Sequence, residues 1–389
     1  MTKLEQLIQD LCPNGVKMVK LGDVVASIHS GLNPRDNFRL NENGATGYYV
    51  TVKEITSGKI EFTDKTDRIT LEAHSIIQNR SHLEVDDVLL SGIGTIGKVA
   101  LVDIPVDNWN CSESVLLLKP NKERILPKFL VYILQSKQVQ SAFQRDSVGS
   151  TLKGIRKKNL ESLQIPLPPL AVQSEIVRLL DKFTLYKSEL AAELAARCKQ
   201  YEHYRNQLLT FDENTKRVKL GEVAEIGTGS SNTNEGKEEG AYPFYVRSQT
   251  PLRKDTFEYD ETAIITAGDG VGVGKVFHFV QGKYALHQRA YRIHLTDEKL
   301  NPKYLYFYMV TMFADYIHKT MFHSSVSSIR RPMLTDFPIP LPPLEIQEQI
   351  VAILDRFDAL CNDIKIGLPA EIELRQKQYE HYRDKLLTF

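Results

Sequence analysis

Between positions 176 and 208 the chain sets its seam residues at steps of four and three: Ile176, Leu180, Phe183, Lys187, Leu190, Leu194, Arg197, Tyr201, Tyr204 and Leu208. That heptad spacing predicts one long helix with a partner along its length. Three prolines just upstream, Pro166, Pro168 and Pro169, enforce an extended lead-in, from which Pro169 and Leu170 can open the first turn. At ~1.5 Å of rise per residue, the roughly 40 residues that follow make a rod about 60 Å long. Its middle reads Glu189-Leu190-Ala191-Ala192 and at once again Glu193-Leu194-Ala195-Ala196, which is strongly helix-forming.

Most of this stretch occurs twice. Ile165-Pro166-Leu167-Pro168-Pro169-Leu170 returns as Ile339-Pro340-Leu341-Pro342-Pro343-Leu344, and Gln200-Tyr201-Glu202-His203-Tyr204-Arg205 returns as Gln378-Tyr379-Glu380-His381-Tyr382-Arg383. Leu208-Leu209-Thr210-Phe211 likewise returns as Leu386-Leu387-Thr388-Phe389. A period this long marks a duplicated domain-plus-helix unit rather than a solenoid. The second copy departs at Gly367-Leu368-Pro369, which should stop its helix near Ile366 and start a new one at Pro369, carrying Ile372, Tyr379 and Tyr382. The expected spacer contacts are Leu180, Phe183, Leu190, Leu194 and Tyr201 in the first rod, with Leu354, Phe357 and Tyr379 in the second.

Outside the rods, Leu4, Leu7, Ile8 and Leu11 have helical spacing, and Cys12-Pro13-Asn14-Gly15 should end that helix. Val19-Lys20-Leu21-Gly22-Asp23-Val24 then has an echo in Val218-Lys219-Leu220-Gly221-Glu222-Val223, each preceded by a Leu-rich helical end. The first helix is therefore expected to lie beside the final one at Leu386-Leu387. Strand-type runs are expected at 48–51, 88–90, 98–102 and 114–118, and again at 245–246, 263–266, 275–280 and 291–295. Each half then has a proline-led helix, from Pro127 and from Pro302, and closes with Ile155-Arg156 or Ile329-Arg330. The layout is module, rod, module, rod, of class α+β: residues 1–164, 165–211, 212–338 and 339–389. The modules agree in this punctuation and differ in their loops, which suggests two unlike targets.

A length of 389 residues with 42% hydrophobic side chains allows two or three domains with real cores. No run of about 18 apolar residues occurs, and the first ten residues are too charged for a signal peptide, so the expectation is a soluble cytoplasmic protein without a membrane partner. Cys12, Cys111, Cys198 and Cys361 show no C-x-x-C pairing, which indicates neither a disulfide framework nor a zinc site. With 49 basic against 49 acidic residues, a nucleic-acid role has to rest on local clusters.

Such clusters exist. Gly92-Ile93-Gly94-Thr95-Ile96-Gly97-Lys98 fits seven positions of a Walker A loop, but Val99 stands where magnesium needs Ser or Thr. Its counterpart runs from Gly268 through Asp269 to Lys275 and again ends in valine, and both lead into strand-type runs. A strand-to-strand turn and a loop approaching a nucleic-acid backbone, with Thr95, Lys98 and Lys275, both fit better than nucleotide hydrolysis. Arg145, Lys153, Arg156, Lys157 and Lys158 are interleaved with Ser147, Gly149, Ser150 and Thr151. The equivalent stretch of the second half holds Lys319, Arg330 and Arg331 with His318, His323 and four serines, Ser325 among them. Basic and hydroxyl side chains on such loops suit phosphate contacts. Asn108 and Asn110 in the first half, and Arg247, Ser248, Arg253, His287, Gln288 and Arg289 in the second, offer donors and acceptors for base edges. No Ser/His/Asp or Cys/His nucleophile pattern, paired-carboxylate signature or metal-ligand spacing is readable. His203 and His381, in twin Tyr-Glu-His-Tyr segments, read as structural.

The order of these features resembles the specificity (S) subunit of type I DNA restriction-modification systems, over essentially the full chain: opening helix, K-L-G-D turn, two modules and two Pro-led helical spacers. The resemblance implies two target recognition domains, each reading one half of a bipartite double-stranded DNA site, separated by an antiparallel pair of spacer helices. It also implies that two methyltransferase (M) subunits dock on the helices and that restriction (R) translocase/nuclease subunits join them. S-adenosylmethionine, ATP and magnesium would then reside in those partners, with no cofactor in this chain and no catalysis by it. In this family, four-residue repeats in the central helix are associated with half-site spacing, and the doubled Glu-Leu-Ala-Ala resembles that device. One copy adds ~6 Å of rise and about 40° of net turn. A coiled-coil adaptor whose modules bind proteins is the competing reading.

Overall fold

The two signatures that frame each module are strand partners. Met18–Lys20 pairs antiparallel with Gln164–Pro166, Val19 opposite Ile165, and Arg217–Lys219 pairs in the same way with Pro338–Pro340, Val218 opposite Ile339. Proline has no N–H to give a ladder, so these strands remain in two-stranded sheets while Ile165 and Ile339 are fully buried. The computed structural model describes residues 3–35, 37–56, 58–146, 154–320, 328–363 and 367–389. The chain divides into two compact units, one of Met1–Glu189 with Ile372–Phe389, the other of Leu190–Glu371.

In the first unit, strands Val25–Ser30, Val115–Pro120, Val88–Ser91 and Val99–Leu101 lie side by side in that order as an antiparallel sheet. A second sheet sets Gly47–Val50 parallel to Trp109–Cys111. The helix Leu71–Ser81, which the pattern did not announce, is capped by the Thr70 hydroxyl on the Ala73 N–H. The proline-led helix Pro127–Gln135 and the helix Lys137–Asp146 bury Phe129, Leu130, Leu134, Val139 and Phe143 in the main core. The first helix, Lys3–Leu11, places Leu4 in that same core with Leu387, and Lys3 Nζ donates to Glu175 at 3.1 Å. The expected neighbourhood of the two chain ends is therefore present.

The second unit carries one six-stranded sheet, ordered Ala224–Thr228, Ala290–Leu295, Tyr259–Ala267, Phe277–Leu286, Tyr242–Tyr245 and Leu252–Lys254. The pairing of Tyr242–Tyr245 with Phe277–Leu286 is parallel, like that of Gly47–Val50 with Trp109–Cys111. The proline-led helix Pro302–Thr320 buries Tyr304, Leu305, Met309 and Phe313. All eight expected strands are present with shifted ends. The runs expected from 98 and 275 begin at Val99 and Phe277, because Gly97 and Gly274 (φ +89° and +70°) still belong to the turn.

Each rod is tied to its module by a glutamine with no exposed surface. Gln173 Oε1 accepts the Leu126 N–H at 2.8 Å, and its Nε2 donates to Arg124 O at 2.9 Å and Pro168 O at 2.8 Å. Gln347 repeats this: Oε1 accepts the Asn301 N–H at 2.8 Å, and Nε2 donates to Lys299 O at 2.9 Å and Pro342 O at 2.8 Å. A second twin tie joins the proline-led helix to the rod, Lys128 to Asp181 at 2.9 Å and Lys303 to Asp355 at 2.7 Å.

The first rod is one helix, Leu170–Leu208. In the first unit Leu180 is fully buried, Phe183 stacks on Tyr382 with centroids 5.3 Å apart, Lys187 Nζ donates to Gln376 Oε1 at 2.8 Å, and Tyr379 packs against the core. Ascending positions meet descending ones, so the pair is antiparallel. In the second unit Tyr201 stacks on Phe357 at 6.1 Å, Leu354 is fully buried, and Leu194 and Cys198 pack against the core that holds Cys361. Leu190 is half-buried.

One seam position differs from expectation. Arg197 is exposed and Cys198 is half-buried in its place, whereas Tyr204, though exposed to water, still stacks on Phe357 with centroids 5.7 Å apart. The doubled Glu-Leu-Ala-Ala steps by four twice, from Leu190 to Leu194 to Cys198, and a four-residue step overshoots the heptad by part of a turn. The second rod is broken: Leu344–Asn362 stops four residues earlier than expected, and Leu368–Leu386 starts one residue before Pro369. Gly367 turns the chain against the last carbonyls of the preceding helix, where a Cβ would lie 2.5 Å from Ala359 O. Among the described residues no helix is long and apolar enough to cross a membrane.

Replacing Gln173 by leucine should strand one buried N–H and two carbonyls, lowering the stability of the first unit by about 2–4 kcal/mol. Hydrogen exchange at the Leu126 amide would register this. Gln347→Leu should do the same at Asn301, and unchanged exchange in both variants would show that the knots hold nothing.

Candidate nucleic-acid interface

Backbone hydrogen bonds build one cradle twice. The Gly92 N–H donates to Ser114 O at 2.8 Å and Gly92 O accepts the Ile155 N–H at 2.8 Å; Gly268 does likewise with Arg289 O at 2.9 Å and the Ile329 N–H at 2.7 Å. The Ser112 N–H donates to Val50 O at 2.8 Å, as that of His287 does to Tyr245 O at 3.0 Å. The Leu32 and Ser231 N–H groups donate to Cys111 O and Leu286 O, both at 3.3 Å. At this crossing the chains pass so closely that a Cβ on Gly31 or Gly229 would fall 1.7 or 1.8 Å from those same carbonyl oxygens. Only glycine fits there.

The cradle makes Val52 equivalent to Arg247, Ile93 to Asp269, Ser114 to Arg289, Glu113 to Gln288 and Asn33 to Asn232. The side chains differ at every one of these except the last. Even there the chemistry is inverted, because Asn33 Nδ2 donates to the Glu113 carboxylate while Asn232 Oδ1 accepts from Gln288 Nε2. One frame thus presents two different sets of donors and acceptors.

In the first module Thr95 and Asn108 are exposed, Arg145 lies exposed in the last turn of its helix, and Arg156 stands just ahead of the short helix Lys157–Glu161 without a side-chain cap bond. Lys98 Nζ donates to Val52 O at 2.8 Å and Lys157 Nζ to Ile28 O at 3.0 Å, so both ammonium groups brace backbone. Asn110 is not on the surface. It is fully buried, donates to Gln78 Oε1 at 2.7 Å and accepts the Cys111 N–H at 2.9 Å, because its parallel strand runs through the core. Ser150, Lys153 and Ser325 lie outside the described residues.

The second module draws its candidates together. Arg247 Nη1 donates to Asp269 Oδ1 at 2.6 Å and Arg289 Nη1 to Asp269 Oδ2 at 3.1 Å. Burial opposes charge on Asp269, but the two guanidinium groups outweigh it and hold the carboxyl below the ordinary aspartate range. His287 is buried, and its Nδ1 accepts the Arg289 N–H at 2.9 Å. Burial first, then the charge on Arg247, pushes its pKa down, which keeps the ring neutral and fixes it as a brace rather than a cationic contact. Ser248 donates to Thr250 O at 2.6 Å, and Arg253 donates to Gly240 O at 2.8 and 3.0 Å, far along the edge strand. Lys275 is exposed, Arg330 stands just ahead of the helix Arg331–Thr335, and Arg331 donates to Ile226 O. Sequence reasoning passed over Asp269 as a mismatch in a phosphate loop, and missed Asn33, Glu113 and Asn232. The only available signal was the chain-distant repeat of glycines at 31 and 229.

The Gly-rich segments connect antiparallel strands in both modules, Val88–Ser91 to Val99–Leu101 and Tyr259–Ala267 to Phe277–Leu286, so neither opens a helix as a phosphate-binding loop would. Among the described residues no group of three or more His, Cys, Asp or Glu side chains is placed to hold a metal ion.

A family model described as the type I restriction modification DNA specificity domain matches residues 13–200 and 212–374. The chain is 37% identical over 263 residues to the type I restriction enzyme EcoR124I/EcoR124II specificity subunit of Escherichia coli, a match that takes in 59% of this chain and 64% of that subunit. It is 31% identical over 296 residues to the putative type I restriction enzyme specificity subunit S.HindORF215P of Haemophilus influenzae, covering 69% of this chain and 74% of that one. The fold is shared with the crystal structure of a type I restriction-modification system S subunit from M. genitalium (TM-score 0.58, 16% identity, 97% of each chain). It is also shared with a chain from a structural study of complex assembly and conformational transition of the type I R-M system (TM-score 0.61, 19% identity, 96% of this chain and 98% of that one). With both cradles inside the matched stretches, the chain belongs to the type I restriction modification DNA specificity domain family.

Proposed function

We propose that this chain is the DNA-reading, non-catalytic subunit of a cytoplasmic type I restriction-modification complex, each module binding one half of a bipartite duplex site. The observation that carries this reading is the pair of equivalent backbone cradles bearing unlike side chains. Reading two sequences with one scaffold needs a frame independent of its surface groups, and here the frame is closed by main-chain bonds. Base edges are distinguished by patterns of donors and acceptors, which is what the two faces vary. The helical spacers set the distance between half-sites and dock two methyltransferase subunits, to which restriction subunits add. Methyl transfer and DNA translocation, with the S-adenosylmethionine, ATP and magnesium they consume, belong to those partners.

Exchanging residues 220–337 for the corresponding module of another family member should change one half of the methylated site and leave the other intact, as read from a methylome. An unaltered pattern would refute the assignment. Deleting residues 193–196 should alter the number of base pairs between half-sites while both half-site sequences persist; unaltered spacing would remove the ruler role. Affinity of the assembled complex for duplex should fall steeply with salt, as counterion release requires. A chain that binds no duplex at any salt is instead the protein-binding adaptor.

A further inference from the structure

Three charged side chains meet at one point of the second module, and the frame does not need them. Asp269 lies in the Gly-rich turn, Arg247 follows strand Tyr242–Tyr245, and Arg289 sits in the turn ahead of strand Ala290–Leu295. Their equivalents in the first module are Ile93, Val52 and Ser114, none of them charged. Yet the first module closes the same main-chain bonds, Gly92 to Ser114 and Ile155 to Gly92, at 2.8 Å each. The three charges are therefore not what shapes the turn. Nor do they add much stability, since Arg247 and Arg289 are 39% and 62% exposed and ion pairs that open to water contribute little.

What the arrangement does is tether two guanidinium groups to one carboxylate. Each arginine gives one Nη1 donor to Asp269, on opposite oxygens, and a guanidinium is a rigid fork with five N–H donors. With one corner pinned, the remaining donors sweep a restricted range, and among the described residues they have no side-chain partner. A phosphate contact needs no such constraint, and a carboxylate beside the arginines costs phosphate attraction by removing one positive charge from the face. A guanine edge does need it, because O6 and N7 accept two parallel N–H bonds in one plane. We propose that Asp269 is a positioning residue that orients Arg289 and Arg247 to read guanine in the half-site taken by the second module.

This rests on the DNA-reading function above and narrows it, and the two fail differently. If exchange of residues 220–337 leaves the target unchanged, the broader reading falls. If that exchange shifts the target, the narrower claim is decided by single variants of the full chain assembled with its partner subunits. Each is tested on duplexes in which every base pair of the second half-site is replaced one at a time. Arg289→Lys, which keeps the charge and loses the fork, should relax discrimination at one G·C pair on the order of 10- to 100-fold. Asp269→Asn, near-identical in shape, should relax the same pair by about 5-fold or more, while affinity for a scrambled duplex holds or rises with the lost negative charge. Discrimination in Asp269→Asn that stays within about twofold of the parent overturns the proposal. So does a uniform loss across all positions with the salt slope reduced by about one in Arg289→Gln, which removes the charge and would mark a phosphate contact. Weakening at both half-sites together with faster hydrogen exchange of the Ile329 amide also overturns it, since that outcome makes Asp269 structural.

Discussion

Gln173 and Gln347 have no exposed surface, and each closes three hydrogen bonds that nothing else at its position closes. The proline lead-in before each rod cannot satisfy its own carbonyls by helix formation, and the chain ahead of each proline-led helix leaves an N–H open at the helix start. One buried amide serves both ends. An unpaired buried polar group is expensive, so the direction in which each rod leaves its module is set by hydrogen bonds rather than by hydrophobic packing, which has no preferred direction. The Lys128–Asp181 and Lys303–Asp355 pairs add a second point to each junction and oppose rotation about the first.

The cradle obeys the same logic of main-chain control. Its crossings are main-chain hydrogen bonds, and the closest one is kept open by glycine at 31 and 229. Because no surface side chain takes part in closing it, the outward positions are free to carry a valine, isoleucine and serine in one module and an arginine, aspartate and arginine in the other. A face whose scaffold is indifferent to its residues can change specificity without losing its fold. Not every polar residue in the region shares this freedom. Asn110 and His287 sit beneath the face and brace it, one fully buried with both amide atoms used, the other neutral and bonded to the Arg289 amide.

The first rod changes partners along its length while remaining one helix. Its residues up to Glu189 pack with the last helix inside the first unit, and those from Leu190 pack with Leu344–Asn362 inside the second. The doubled Glu-Leu-Ala-Ala falls at this change. Two successive four-residue steps carry the seam from Leu190 through Leu194 to Cys198 and move Arg197 into water. The broken second rod and the unbroken first differ because Gly367 and Pro369 interrupt one and nothing comparable interrupts the other.

Local backbone chemistry was legible in the amino-acid order. Prolines fix φ and withhold a donor, glycines mark turns, and a four-three spacing of seam residues specifies a helix with a partner, so the duplicated layout, both rods, eight of the strands and the α+β class could be read directly. The ends of those elements shifted where a glycine of positive φ or a buried strand extended beyond its local signal, as at Gly274 and Phe277. What only the tertiary structure decided was convergence. Arg247, Asp269 and Arg289 are separated by 22 and 20 positions and meet because two loops and a turn cross at one main-chain junction. Alternation along a strand says which residues share a face but not which face is buried, so Asn110 looked like a reader and is a brace. Long-range pairing is set by packing and hydrogen-bond closure among distant segments, and no single stretch of the chain carries that information.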